Sequence, residues 1–126
     1  MSIKFRILLL RLYYNSFGLL GREKSAEELI KLFTTPRSRV IRNKEIEVLE
    51  KAEIDHILFQ NQKVKIYQWG SGEDYILLCH GWESNAGSLG AFVEPLVERG
   101  YKVIAYDSLA HGESEGSQSN MVIFKE

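Results

Sequence analysis

The stretch Tyr75 to Trp82, YILLCHGW, decides how the chain is read. Ile76, Leu77, Leu78 and Cys79 are continuously apolar, the pattern of a strand covered on both faces in a parallel sheet. His80-Gly81 ends the run, so a loop is expected there. Beyond it, GSLGAFVEPLVERG (87–100) places Leu89, Phe92, Val93, Leu96 and Val97 at helical spacing and closes on Gly100, a C-terminal stop. YKVIAYD (101–107) is the next strand. Strand, helix and strand over roughly 30 residues make one right-handed βαβ unit. Open α/β sheets gather function at the carboxyl ends of their parallel strands, and the two ends here read CHGWES and YDSLAHGESEG.

Upstream, GSGED (70–74) supplies turn residues. EIDHILFQ and KVKIYQW alternate apolar and polar residues around Asn61-Gln62, which predicts an antiparallel hairpin with one exposed face. His56 in its first strand reads as a partly exposed structural histidine. NKEIEVLEKAE (43–53) reads as a short helix. Ser25 followed by Glu28 in SAEELIKLF is a capping box, predicting a helix from about residue 26 to 33 that Pro36 stops. The chain thus divides into an N-terminal helical segment, 1–51, and an α/β segment, 52–126.

The opening IKFRILLLRLYYNSFGLL is expected to be a further helix. At about 100° per residue Lys4, Arg11 and Asn15 share a narrow polar stripe, while Phe5, Leu9, Leu10, Tyr13 and Leu20 cover the remainder. Arg11 interrupts the apolar run, no small-residue cleavage site follows, and a spanning helix needs roughly 20 apolar residues, so neither a signal peptide nor a membrane span is favoured. The expectation is a helix packed onto a body, with weak membrane-surface contact through residues 1–22.

With 126 residues and a net charge of -1, the chain has room for one hydrophobic core. Residues 1–51 hold 11 Lys or Arg against 6 Glu, and residues 52–126 hold 5 against 11 acids. The basic residues form no block, so no nucleic acid is expected as a partner. One cysteine, Cys79, excludes an internal disulfide and lacks the paired spacing of a zinc site. The chain reads as cytoplasmic, with no cofactor and no metal.

GESEG (112–116) matches the hydrolase pattern G-x-S-x-G, which requires its serine on a strained turn directly between strand and helix. Ser114 stands eight residues past Tyr106 with no strand running into it. It reads as a decoy, as does Ser88 in AGSLG, eight residues beyond His80. Asp107, His111 and Ser114 crowd one short loop, whereas a triad needs partners held on separate rigid elements. Asp107 and Ser114 are expected to hydrogen-bond the loop backbone instead.

LLCHGW, followed by a D-x-x-x-H-G-x-S loop after the next parallel strand, resembles the α/β-hydrolase family over roughly residues 52–118. The resemblance implies the N-terminal portion of an α/β-hydrolase sheet, hairpin plus one βαβ unit, preceded by helices and incomplete. It implies that the Trp82 N–H is one of two oxyanion donors, that Gly81 lets the backbone turn closely under a bound carbonyl, and that His80 shapes the loop. It also implies that the nucleophile elbow, acid and catalytic histidine follow in chain order after these strands, so no triad member is assigned here. The family's usual Pro-Gly pair is replaced by Leu109-Ala110, and alanine resists positive φ. Trp82-Glu83 argues against the epoxide-hydrolase subgroup, where proline usually stands at Glu83's position. The implied function is hydrolysis of an ester, thioester or small acyl substrate through an acyl-enzyme in the complete protein. The alternative is a non-catalytic truncated product with at most a binding role.

Overall fold

The computed structural model describes residues 2–17 and 21–122, so Leu20 and most of the closing MVIFKE lie outside the described residues. The chain forms two compact units, Met1–Thr34 and Thr35–Glu126.

The first unit holds α1 (Ile3–Phe17) and α2 (Arg22–Thr34). The predicted capping box is not formed, because α2 begins three residues ahead of Ser25. The Ser25 hydroxyl instead donates back to the Gly21 carbonyl at 3.1 Å, from inside the first turn. Arg, Glu and Lys are all strong helix formers, so the helix extends back to Gly21, whose φ of +109° breaks it. At the other end α2 stops before Pro36, because the residue preceding a proline is pushed out of the helical region.

The first regular element of the second unit is α3 (Asn43–Leu49), whose Leu49 joins the core beside the sheet. Glu45 reaches back to the start of α3, where its carboxylate accepts from the Arg42 N–H at 2.7 Å and from Arg42 Nε at 2.8 Å. Burial opposes this charge, but the bonds from Arg42 and from the Asn85 amide outweigh it and hold the Glu45 pKa below the usual carboxylate range.

β1 (Glu53–Phe59) and β2 (Gln62–Trp69) pair antiparallel, with Phe59 opposite Gln62. The connecting residues are Gln60 and Asn61, at φ +50° and +60°, which is a two-residue turn of the kind that matches strand twist. It falls one residue earlier than the alternation of apolar residues implied. β3 (Tyr75–Cys79), a 3-10 helix (Ala86–Phe92), α4 (Val93–Glu98) and β4 (Lys102–Tyr106) follow. The sheet order is β1-β2-β4-β3, with β3 and β4 parallel and the other pairs antiparallel.

The single helix predicted over 87–100 is therefore half 3-10. Its first half lies hard against α3: a Cβ on Gly87 would stand 2.8 Å from Glu45 Cβ, and one on Gly90 would stand 2.9 Å from Val48 Cγ2. The tighter winding leaves Phe92 exposed and turns Val93, Leu96 and Val97 onto the core. That core joins Leu49, Tyr67, Trp69, Ala86, Val93, Val103 and Ala105, with the Trp69 indole N–H bonded to the Val48 carbonyl at 3.1 Å.

The sheet is covered on one face, and this corrects the reading of Ile76 to Cys79. In β3, Ile76 and Leu78 are half-buried on the side of Val103 and Ala105, whereas Tyr75, Leu77 and Cys79 are exposed, Leu77 by 53%. β3 pairs with β4 alone and forms an edge of the sheet.

Candidate functional site

β3 and β4 run parallel, so their carboxyl ends at Cys79 and Tyr106 deliver the two loops singled out from the sequence to the same side of the sheet. His80 ties them together. Its Nε2 accepts from the Ser108 N–H at 3.0 Å, which assigns the ring proton to Nδ1, and Nδ1 donates to the Gly81 carbonyl at 2.7 Å. Its ring is buried, 5.2 Å from the His111 ring.

Gly81 has no left-handed φ, and a Cβ added to it would meet no atom within 4 Å. Nothing inside the described structure requires glycine here. Trp82 is 43% exposed and sets its ring edgewise to His111 at 5.0 Å. Glu83 then takes φ +53°, a conformation that costs a non-glycine residue energy and persists only where the surroundings impose it. Arg37 imposes it. Its backbone N–H and Nε donate to Glu83 Oε1, each at 2.8 Å, and its Nη2 donates to Oε2 at 2.7 Å. The side-chain and backbone hydrogen bonds from Arg37 bring the Glu83 pKa down to about 2.

The second loop is organised by Asp107, which is fully buried. Oδ1 accepts from the Ala86 N–H at 2.7 Å, at the start of the 3-10 helix, and Oδ2 accepts from the Glu113 N–H at 2.9 Å and from the Tyr67 hydroxyl at 3.0 Å. Burial, then the neighbouring charge of Asp107, pushes the Tyr67 hydroxyl pKa up. Glu113 also pairs with Lys65, which lowers its pKa. Ala110 adopts φ +64°, so Leu109-Ala110 still makes a left-handed turn, at a cost of roughly 1 kcal/mol for the alanine. Arg39 donates to the Ser114 carbonyl at 3.0 Å and to that of Gly116. Arg37 and Arg39, two residues apart in one strap, thus hold one loop each.

Both serine-centred patterns place their hydroxyls in hydrogen bonds with the backbone. Ser114 is 2% exposed; its hydroxyl donates to the Asp107 backbone carbonyl and accepts from the Lys65 N–H at 2.8 Å. His111 Nδ1 lies 2.9 Å from the Leu109 carbonyl, and burial lowers the His111 pKa. Asp107, His111 and Ser114 are neighbours, but the Ser114 hydroxyl gives its proton to the Asp107 backbone carbonyl rather than to His111. The Ser88 hydroxyl donates to the Asn85 carbonyl at 2.7 Å. His56 is exposed on β1 and Cys79 is exposed at the end of β3. Among the described residues no three or more His, Cys, Asp or Glu cluster where they could hold a metal ion. The sequence reading gives Arg37, Arg39 and Tyr67 no role and uses Glu83 only as a marker against one subgroup. Their partners lie 40 to 77 residues away in the chain, and no local pattern marks such pairs.

No family model matches the sequence. Over 46 residues the chain is 44% identical to a non-heme haloperoxidase of Rhodococcus erythropolis, a match covering 36% of this chain and 16% of that protein. It superposes on an esterase of Pyrococcus furiosus with a TM-score of 0.56 and 26% identity, covering 66% of this chain and 33% of the esterase. An epoxide hydrolase of Vigna radiata gives a TM-score of 0.50 and 25% identity over 56% of this chain and 23% of that one. The chain thus spans about a sixth of the curated relative and a third or less of these structures. Together with two parallel strands whose carboxyl ends carry paired loops, and an antiparallel hairpin beside them, these likenesses point to the α/β-hydrolase fold.

Proposed function

We propose that this chain supplies the oxyanion side of a serine α/β-hydrolase site, with the nucleophile, acid and catalytic histidine contributed by chain beyond these 126 residues. The substrate is an ester, thioester or small acyl compound. The serine oxygen attacks its carbonyl carbon, the π pair moves onto oxygen, and the Trp82 N–H faces the charge that develops. The catalytic histidine takes the serine proton and gives it to the leaving group, which departs as the carbonyl reforms; the same histidine then takes a proton from water, whose oxygen releases the acyl group as the acid while the serine regains its proton. The observation that carries this reading is the open space in front of Gly81, in a loop braced by His80 on one side and by Arg37 through Glu83 on the other. A donor fixed in advance costs no reorganisation during reaction, which is why such loops are held rigid.

The coding DNA beyond the Glu126 codon is expected to encode an apolar strand and then G-x-S-x-G within roughly 25 to 45 codons. In the extended protein a fluorophosphonate probe labels that serine, and Trp82→Pro, with its Tm checked, lowers turnover ~10²- to 10³-fold. The 126-residue chain alone stays unlabelled. Labelling at Ser114, or unrelated sequence in all three frames, would sink the reading. The engaged hydroxyls of Ser114 and Ser88 favour a second reading for the isolated chain, a product without catalysis of its own.

A further inference from the structure

We propose that α1 is a membrane-surface anchor whose partner is an anionic phospholipid bilayer. Ile3, Phe5, Leu8, Leu10 and Leu12 are each at least half exposed, so within the first unit α2 leaves the apolar surface of α1 uncovered. That surface is not a stripe. At about 100° per residue Leu12 and Ile3 stand on opposite sides of the helix, with Leu8 beside one and Leu10 and Ile7 beside the other. A protein groove covers one side of a helix. A helix apolar on both sides is buried either inside a large protein core or in lipid, and its charges decide between the two.

The charges say which phase. α1 carries Lys4, Arg6 and Arg11 and no acidic residue. Long basic side chains bury their stems while the charged heads reach the phosphates, so cations do not oppose insertion at the interface as acids would. Tyr13 and Tyr14, in edge contact at 5.3 Å, are residues suited to the headgroup level, and the Ser16 hydroxyl is satisfied within the helix by the Tyr13 carbonyl at 2.6 Å. Fifteen residues make a helix of about 22 Å, short of the roughly 30 Å hydrocarbon core. No helix of the described residues is long and apolar enough to cross a membrane. The helix lies in the interface.

The full 126-residue chain is mixed with phosphatidylcholine vesicles, with or without phosphatidylserine, and floated on a density gradient, so that only lipid-bound protein rises. Flotation is expected with phosphatidylserine, weakened by salt. Arg6→Ala and Arg11→Ala each lower the partition about fivefold, and Leu8→Asp with Leu12→Asp abolishes it. Far-ultraviolet dichroism confirms that each variant keeps its helices and sheet. Protein that stays at the bottom with both vesicle types, as a monomer burying α1 on itself or as paired copies, overturns the proposal. So does equal flotation with neutral vesicles, or flotation that the Asp variants leave intact.

Discussion

Two glycines in the site loops are there for opposite reasons, and substitution separates them. Gly112 sits at φ +45°, and an added Cβ would lie 2.1 Å from Asp107 Oδ2, inside the carboxylate that joins Ala86, Glu113 and Tyr67. Gly112→Ala combines left-handed strain with displacement of a buried acid, and the expected loss is about 3 kcal/mol. Gly81→Ala meets open space and is expected to shift stability by less than about 0.5 kcal/mol. Urea unfolding of both variants measures the contrast. A large loss at Gly81 would mean that the loop uses that space internally, leaving no room in front of it for a substrate carbonyl. The sequence had flagged both residues by motif without revealing that one serves the fold and the other an open surface.

Among the elements, the strap from Arg37 to Arg39 is the one that local pattern could not reveal. It carries no regular structure, yet each arginine holds a different loop, Arg37 through Glu83 and Arg39 through the Ser114 and Gly116 carbonyls. Arg37 is exposed, so solvent screens the pair, and its contribution is one of position more than of stability. Arg37→Ala is expected to speed amide exchange in residues 81–85 about three- to fivefold while leaving 108–116 unchanged, and Arg39→Ala to do the reverse. Uniform acceleration in both loops would show that the strap acts as one brace rather than two. The 3-10 turn of Ala86–Phe92 has a similar origin. Helical spacing predicted the segment, but Gly87 and Gly90 bring it so close to α3 that its winding tightens.

At the scale of the whole molecule, titration sets the range of stability. The pKa of His111 lies below its ordinary value because of burial, and those of Glu45, Glu83 and Glu113 lie below theirs because of their hydrogen-bonded cations or amides. In each case the unfolded chain binds protons first as pH falls, so stability is complete above the unfolded pKa and is lost toward the folded one. The histidine contribution is thus full above about pH 6.5 and declines below it, and the carboxylate contribution declines below about pH 4.3, reaching down to about 2 for Glu83. Urea midpoints measured across that range are expected to fall in two steps. His111→Gln removes the upper step and leaves the lower. An unchanged upper step in that variant would mean that another group titrates there.

Periodicity and turn chemistry were enough to place the hairpin, the parallel pair β3 and β4, and the loops at their ends, because those depend on neighbours a few residues apart. The same logic set Ser114 and Ser88 aside, since the strand needed before a nucleophile is a local feature. What lies beyond local reach was decided by packing. The apolar run Ile76 to Cys79 is compatible with cover on two faces, but cover depends on which elements stack against the sheet, and here one face of β3 is exposed. The start of α2 depended on where glycine releases the helix, not on the serine that could have capped it. The turn at Ala110 is left-handed because Asp107, the Glu115 carbonyl and the Ser108 carbonyl hold the chain around it, contacts strong enough to override the preference of alanine itself.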